Sequence, residues 1–286
     1  MEQEFPKPSG MQSLRSGIHI LNEFSHVSGE LTVTELANRL GMPKSQVSRM
    51  LAALREEGWV VQNPATRAYS IGIAAYAAGT RFINSNRLTA EALPILRSVV
   101  DACGFTSTLS VLEGARPLYL LQVDGSISAD FGSRVGSYFP YNATAPGKLL
   151  SAFAEEELRG EIFRRGPARF TPHTIVDAAK LRKQLRLIRE QGYAVSVGER
   201  SIDVGAIAVP VFGAADNFVA AMGIAYPLNL MPEDRFVYYA RLLQSRARTL
   251  SLRLGASNYP FTPHPETLER LALDGPAIAV NHSKEI

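Results

Sequence analysis

Apolar spacing divides the chain into a helical first third and a longer remainder in which strands and helices mix. Leu14, Ile18, Leu21 and Phe24, with Ile20, recur at helical intervals from Met11 onward, and Gly29-Glu30 closes that first helix. Thr32 followed by Glu35 has capping-box spacing, in which hydroxyl and carboxylate each bond the other residue's backbone N–H, so a second helix is expected near Val33. Leu36 and Leu40 form its buried stripe. Gly41-Met42 makes a tight turn, Pro43 suits the first turn of a third helix, and that helix runs to about Glu57 before Gly58 stops it. Residues 59–61 then read as a strand, 63–66 as a turn and 68–71 as the returning strand. Residues 73–102 look helical, with a break at Ser85-Asn86-Arg87 and Pro94 inside a helical first turn.

From Thr106 the pattern becomes alternation. Strands are predicted at 106–112, 117–123, 128–131, 193–199, 206–212 and 218–225, and helices at 145–153, 155–165, 178–192 and 233–254. The expectation is an α+β protein with a mixed sheet and flanking helices. Its parts are a flexible arm (1–10), a winged helix-turn-helix domain (11–72), a linker helix region (73–102), a second domain (103–255) and a tail (256–286). The tail is rich in proline and polar residues and is read as having little packed structure.

The third helix carries the clearest chemistry. At about 100° per residue, Val47, Met50, Leu51 and Leu54 share one side, while Ser45, Arg49 and Ala52 lie opposite, flanked by Gln46 and Ser48. Its outward N-terminal half therefore presents hydroxyls, an amide and a guanidinium, which can bond base edges or phosphates in a duplex groove. Lys44 and, on the wing, Arg67 are candidate phosphate contacts, and Arg15 on the first helix is a weaker one. A plain helical hairpin with a solvated face is the bland alternative. The short turn, the capping box and the wing strand together favour binding to double-stranded DNA.

Composition narrows this only a little. At 286 residues, 46% hydrophobic and 20% charged, the chain has room for two cored domains. A net charge of +3 permits nucleic-acid binding without arguing for it. A single cysteine, Cys103, fits a reducing compartment and a core position. No basic-then-apolar leader and no run near the roughly 18 apolar residues of a membrane helix are seen, so a cytoplasmic protein is expected. Five scattered histidines offer no metal-ligand spacing, and no cofactor is expected. Gly147-Lys148-Leu149 is no phosphate loop, so Lys148 is expected at the surface of a helix start. Ser201 with Asp203 lacks a nearby histidine, and no catalytic residues are assigned. In the basic run 180–189, Leu181, Leu185 and Ile188 point inward and the cations form a solvated face.

The chain resembles the IclR family of bacterial transcriptional regulators. The resemblance rests on the helix-turn-helix, on Ser133-Arg134-Val135-Gly136, and on the stretch from Asn142 through Thr144 and Pro146-Gly147-Lys148. It also rests on Gln191-Gly192-Tyr193-Ala194-Val195 with Glu199, on Ile207-Ala208-Val209-Pro210-Val211, and on Val219-Ala220-Ala221-Met222. It spans about residues 13–255. It implies a winged helix-turn-helix joined by a linker helix to a GAF-like effector-binding domain. It also implies a homodimer or dimer of dimers on a palindromic operator, most simply as repressor of a catabolic operon. Effector binding would shift the DNA-binding domains through the linker helix. The implied pocket lining is Phe131, Asn142, Ala143, Thr144, Ala145, Asp203, Val204, Gly205, Met222, Gly223 and Ala225. Here Asn142 replaces the family's usual histidine, and Gly223 and Ala225 stand where serines are common. Fewer hydroxyls suggest an aromatic or amide-like effector; Asp203 either faces it or caps a turn. The rivals are an enzyme using residues 106–254 and a constitutive DNA-binding scaffold without effector.

Overall fold

The computed structural model describes residues 9–27, 29–127 and 135–261. It falls into two compact units that divide between Asn86 and Arg87. In the first, helices α1 (Ser9–Glu23), α2 (Val33–Leu40) and α3 (Lys44–Glu56) are followed by strands β1 (Val60–Gln62) and β2 (Tyr69–Ile71) and helix α4 (Ile73–Ser85). The Thr32–Glu35 capping box forms in both directions. Gly41 ends α2 in the left-handed region at φ 63°, a conformation that costs most residues a steric penalty and glycine almost none. Pro43 stands one position outside the expected first turn: it is the N-cap of α3, with extended backbone. Ile20, Phe24, Leu31, Leu36, Val47, Leu51, Val60 and Tyr69 make the core.

The expected stripe on α1 is only partly buried. Ile20 and Phe24 face α2 and α3, whereas Leu14 and Ile18 remain 64% and 48% exposed. They lie on the edge of a groove with Met50, Leu54 and Trp59. One helix cannot turn both stripes toward the same two neighbours, and the tighter Ile20–Phe24 pair takes the core.

The second unit begins with α5 (Arg87–Cys103), and Asn86 is the break. Pro94 lies in the middle of α5, not in a first turn. Ala92, Leu96 and Val99 of α5 are fully buried core residues, so the second half of the expected linker is part of this domain. Strands β3 (Thr106–Glu113) and β4 (Arg116–Val123) come next. Helices α6 (Ala145–Phe153), α7 (Glu156–Arg164) and α8 (Ala178–Gln191) then precede strands β5 (Ala194–Val197), β6 (Val204–Phe212) and β7 (Phe218–Pro227). A 3₁₀ turn leads into α9 (Phe236–Arg253). The expected strand 128–131 lies outside the described residues.

The sheet has the order β4-β3-β7-β6-β5, and every strand pairing in it is antiparallel. The expected mixed sheet is thus corrected: among the described residues, parallel pairing is confined to an isolated bridge between Phe105 and Ile127. Short connections between β3 and β4, β5 and β6, and β6 and β7 allow hairpins, which are antiparallel by construction. On one face, Ile207, Val209, Met222 and Ile224 pack with α5 and α9; on the other, Ala208 and Ala221 pack with Leu149 and Leu150 of α6 and Leu181 and Leu185 of α8. This alternation is the period-two signal read in the sequence. A bulge in β4 interrupts it. Leu109 pairs with Leu121 and Ser110 with Tyr119, leaving Leu120 over. Tyr119 and Leu121, two residues apart, therefore serve opposite faces.

The tail reading fails for its first six residues. Tyr259 is 2% exposed and donates its hydroxyl to the Pro210 carbonyl at 3.0 Å, Ala256 is buried, and Phe261 stacks among Phe153, Phe212 and Tyr259. The Asp216 carboxylate accepts from Ser257 and Asn258 backbone N–H groups and ties this segment to the β6–β7 turn.

Candidate functional site

In the first unit, Lys44, Ser45, Ser48 and Arg49 are exposed and Gln46 half-buried on the face of α3 opposite the buried Val47 and Leu51. The geometry read from 100° spacing is the geometry found. Pro43, lacking an N–H, removes one of the orphan donors at this helix start, which carries no acidic side chain in its first turn. The wing is held locally: Glu30 accepts from the Asn63 amide at 2.8 Å and the Thr66 hydroxyl at 2.7 Å, bonds that keep its carboxyl below the usual carboxylate range. Arg67 is exposed at the wing with φ 59°, a left-handed conformation uncommon for a non-glycine residue, and Gln62 donates to its carbonyl at 2.9 Å. Arg15 is exposed on α1.

In the second unit, a cavity of about 30 Å³ lies between the sheet and the start of α6. Its lining is Tyr119, Thr144, Ser196, Arg200, Ser201, Val204, Ala206 and Ala225. Of the residues expected there, Thr144, Val204 and Ala225 meet. Met222 and Gly205 belong to the opposite face of the sheet, Gly205 pairing with Tyr226 in that core, because alternation turns them away. Gly223 is on the cavity side but outside the lining, and a Cβ there would come within 2.6 Å of the Ile207 carbonyl oxygen. Its lack of a side chain serves strand packing. Asn142 is 1% exposed and donates to the Ala168 and Ile175 carbonyls, at 2.9 and 3.1 Å, so its amide clamps the loop before α8. Ala143 and Ala145 are fully buried beside it, outside the lining. The Asp203 side chain is exposed and also outside it. Phe131 lies outside the described residues.

Tyr119, Ser196, Arg200, Ser201 and Ala206 were not anticipated. Tyr119 reaches the cavity only because of the bulge. Ser196 had a legible signal, a polar residue in phase with buried Ala194 on one strand. The start of α6 is closed on itself: Thr144 accepts from Gly147 N–H and donates to the Pro140 carbonyl, and Ser196 accepts from Ala145 N–H, each at 3.1 Å. A Cβ at Gly147 would lie 2.5 Å from the Pro140 oxygen, so only glycine permits this turn. The Ser196 hydroxyl keeps its own proton to donate. The Arg200 side chain is exposed, its guanidinium 4.6 Å from the Phe170 ring centroid.

Lys148 corrects a sequence expectation most sharply. It is not at the surface: it is 0% exposed and ion-paired with Glu199, itself 7% exposed. Burial pulls the lysine pKa below its ordinary value, opposed by the Glu199 charge. The Thr174 hydroxyl donates to the Glu199 carbonyl at 2.6 Å and Thr171 to that of Gly198 at 2.7 Å. The pair thus joins α6 to the loop that carries Arg200 and Ser201. Cys103 is buried as expected, and burial pushes its thiol to about 11.

Among the described residues no helix is long and apolar enough to cross a membrane, and no group of three or more His, Cys, Asp or Glu side chains is arranged to hold a metal ion. A winged helix-turn-helix, followed by a separate domain whose sheet and helices enclose a hydroxyl-lined cavity, defines the class: a DNA-binding transcriptional regulator governed by a ligand. The chain belongs to the IclR family. Residues 13–64 match the IclR helix-turn-helix domain and residues 80–252 the bacterial transcriptional regulator IclR C-terminal domain. It is similar to the HTH-type transcriptional repressor AllR of Escherichia coli K12, with 31% identity over 252 residues, 88% of this chain and 93% of AllR. The IclR transcriptional regulator of Alicyclobacillus acidocaldarius superposes with a TM-score of 0.75 at 28% identity, covering 88% of this chain and all of that one. An IclR homologue from Microbacterium hydrocarbonoxydans, solved with 4-hydroxybenzoate, shares the fold (TM-score 0.72, 22% identity, 85% of this chain and 98% of that one). The chain is a regulator, not an enzyme.

Proposed function

We propose that the chain is a cytoplasmic repressor that binds a palindromic operator as a dimer or dimer of dimers, through Lys44, Ser45, Gln46, Ser48 and Arg49 of α3, with Arg67 and Arg15 on the phosphates. Its affinity for the operator is set by a small ligand held between β5, β6, β7 and the start of α6. Repression is supported by the likeness to AllR, and operator reading by the polar N-terminal half of the outer face of α3, whose first turn holds no acidic residue; Glu56 joins that face only at its C-terminal end.

The observation that carries the ligand class is the pair of serine hydroxyls, Ser196 and Ser201, with a guanidinium at the rim; Thr144, also in the lining, spends its proton on the Pro140 carbonyl. Hydroxyls missing from β7 are supplied by β5 and the loop after it. Donors of this kind suit a carboxylate. A cavity of about 30 Å³ has room for one water. The donors, not the volume, favour a small carboxylate over the aromatic or amide-like effector expected from Gly223 and Ala225. Even that ligand opens the loop 198–203.

The test is a panel of small carboxylates and their amides, titrated into the protein on a fluorescent operator duplex. Carboxylates should release the duplex while their amides do not. Release by amides or arenes alone would return the assignment to the apolar class, and no response to any member would leave a constitutive binder.

A further inference from the structure

A second, larger concavity of about 400 Å³ lies between α7 and α8, with Ala152 near the end of α6 at its base, and shares no lining residue with the cavity at the start of α6. Its volume is within the range of about 300–1,000 Å³ common for small-molecule sites. Its cations are Arg159, Arg182, Arg186 and Arg189. The last three are exposed on α8, within about 60° of arc at 100° per residue. Like charges four residues apart, as in Arg182 and Arg186, weaken a helix, so their alignment has a cost that helix stability does not explain. None of the four has a carboxylate within 4.0 Å among the described residues, although Glu156 also borders the space.

Two further features separate this place from an ordinary solvated face. All four lining cations are arginines, while the lysines of the same helix, Lys180 and Lys183, stay off the lining. Arginine's planar fork matches two phosphate oxygens at once, which a lysine point charge does not. The concavity also has an apolar wall: Leu185 is buried, and the Phe163 ring lies 5.7 Å from the Arg182 guanidinium carbon. Arg159 is half-buried and pinned, donating to the Ala154 carbonyl at 3.3 Å.

We propose that the α7–α8 concavity binds a small phosphate ester bearing a planar ring, of nucleoside-diphosphate size, with the phosphates on the arginines and the ring against Phe163 and Leu185. The concave shape favours a compact ligand over a duplex backbone, which needs a long open track. This second ligand is independent of the molecule assigned to the cavity at α6.

Isothermal titration of the full chain at physiological ionic strength, with ADP, inorganic pyrophosphate and adenosine, tests it. ADP should bind saturably and more tightly than pyrophosphate, and adenosine should not bind. Arg182→Gln with Arg186→Gln, both exposed, should weaken ADP by at least about tenfold. Phe163→Leu should weaken ADP while sparing pyrophosphate. No saturable ADP binding, or ADP binding unchanged by the double substitution, overturns the proposal. So does a result in which ADP fails to bind and the double substitution instead lowers affinity for a non-operator duplex, because the arginines then serve a DNA backbone. Equal losses for ADP and pyrophosphate in Phe163→Leu remove the ring from the assignment.

Discussion

Lys148 and Glu199 set the sharpest test of the packing argument. Removing one member of a buried ion pair leaves the other charge without a partner and costs about 3–5 kcal/mol, whereas replacing both by apolar residues is often neutral or better. The numbers follow from the site. At an effective dielectric near 20, two unit charges about 4 Å apart attract by about 4 kcal/mol. Against this stands a desolvation penalty of several kcal/mol for each ion, and here both are nearly or wholly buried. Among the described residues Glu199 Oε2 has no hydrogen-bond partner, so its carboxylate is incompletely satisfied there. The pair therefore comes close to breaking even, while either charge alone does not. Lys148→Met and Glu199→Leu should each lower the unfolding free energy of the second domain by about 3–5 kcal/mol, and the double substitution by much less than their sum. The pH dependence adds a check on the lysine. In Glu199→Leu the lone lysine sheds its proton more readily when folded, so its deficit shrinks as pH rises toward the ordinary lysine pKa. Urea unfolding followed by circular dichroism is the assay. The only tryptophan, Trp59, lies in the first unit and does not report on this domain. Additive losses, or single losses under about 1 kcal/mol, would refute the reasoning.

Other outcomes follow from the same structure. Arg49→Ala, exposed on α3, should weaken operator binding by about 1–3 kcal/mol without changing thermal stability, checked by fluorescence anisotropy at fixed salt. Ala225→Leu should fill the small cavity, abolish the ligand response and leave operator binding in place, at about 1–3 kcal/mol of overpacking read by thermal melting. Tyr259→Phe should cost about 1–3 kcal/mol by leaving the Pro210 carbonyl unpaired, and a chain ending at Gly255 should lose more. With its thiol raised to about 11, Cys103 should resist a thiol reagent at pH 8 until urea is added. Between the ordinary value of 9.0 and about 11 the folded chain keeps a proton the unfolded chain loses, so this group's contribution to stability falls as pH rises there; in Cys103→Ala that component should vanish.

What the sequence determined by itself was whatever local physics controls. The capping box at Thr32 and Glu35, the turn at Gly41, the two wing strands (each read as starting one residue early) and the outward set on α3 follow from spacing and backbone preference within a few residues. They were legible before any fold was known. The period-two strands of the second domain were legible for the same reason.

Tertiary structure decided which of two plausible faces was buried and where distant segments met. Leu14 and Ile18 look as apolar as Ile20 and Phe24, yet only the second pair is covered. Residues 256–261 look like tail but complete an aromatic cluster that no local pattern announces. At the cavity, a bulge beside Leu120 brings in Tyr119, and strand phase turns Met222 and Gly205 away. Lys148 shows the physical reason most plainly. A lysine at a helix start is ordinarily solvated, and a buried one is tolerable only where an opposite charge awaits it. The partner here is 51 residues further along the chain, a separation that only the folded structure closes.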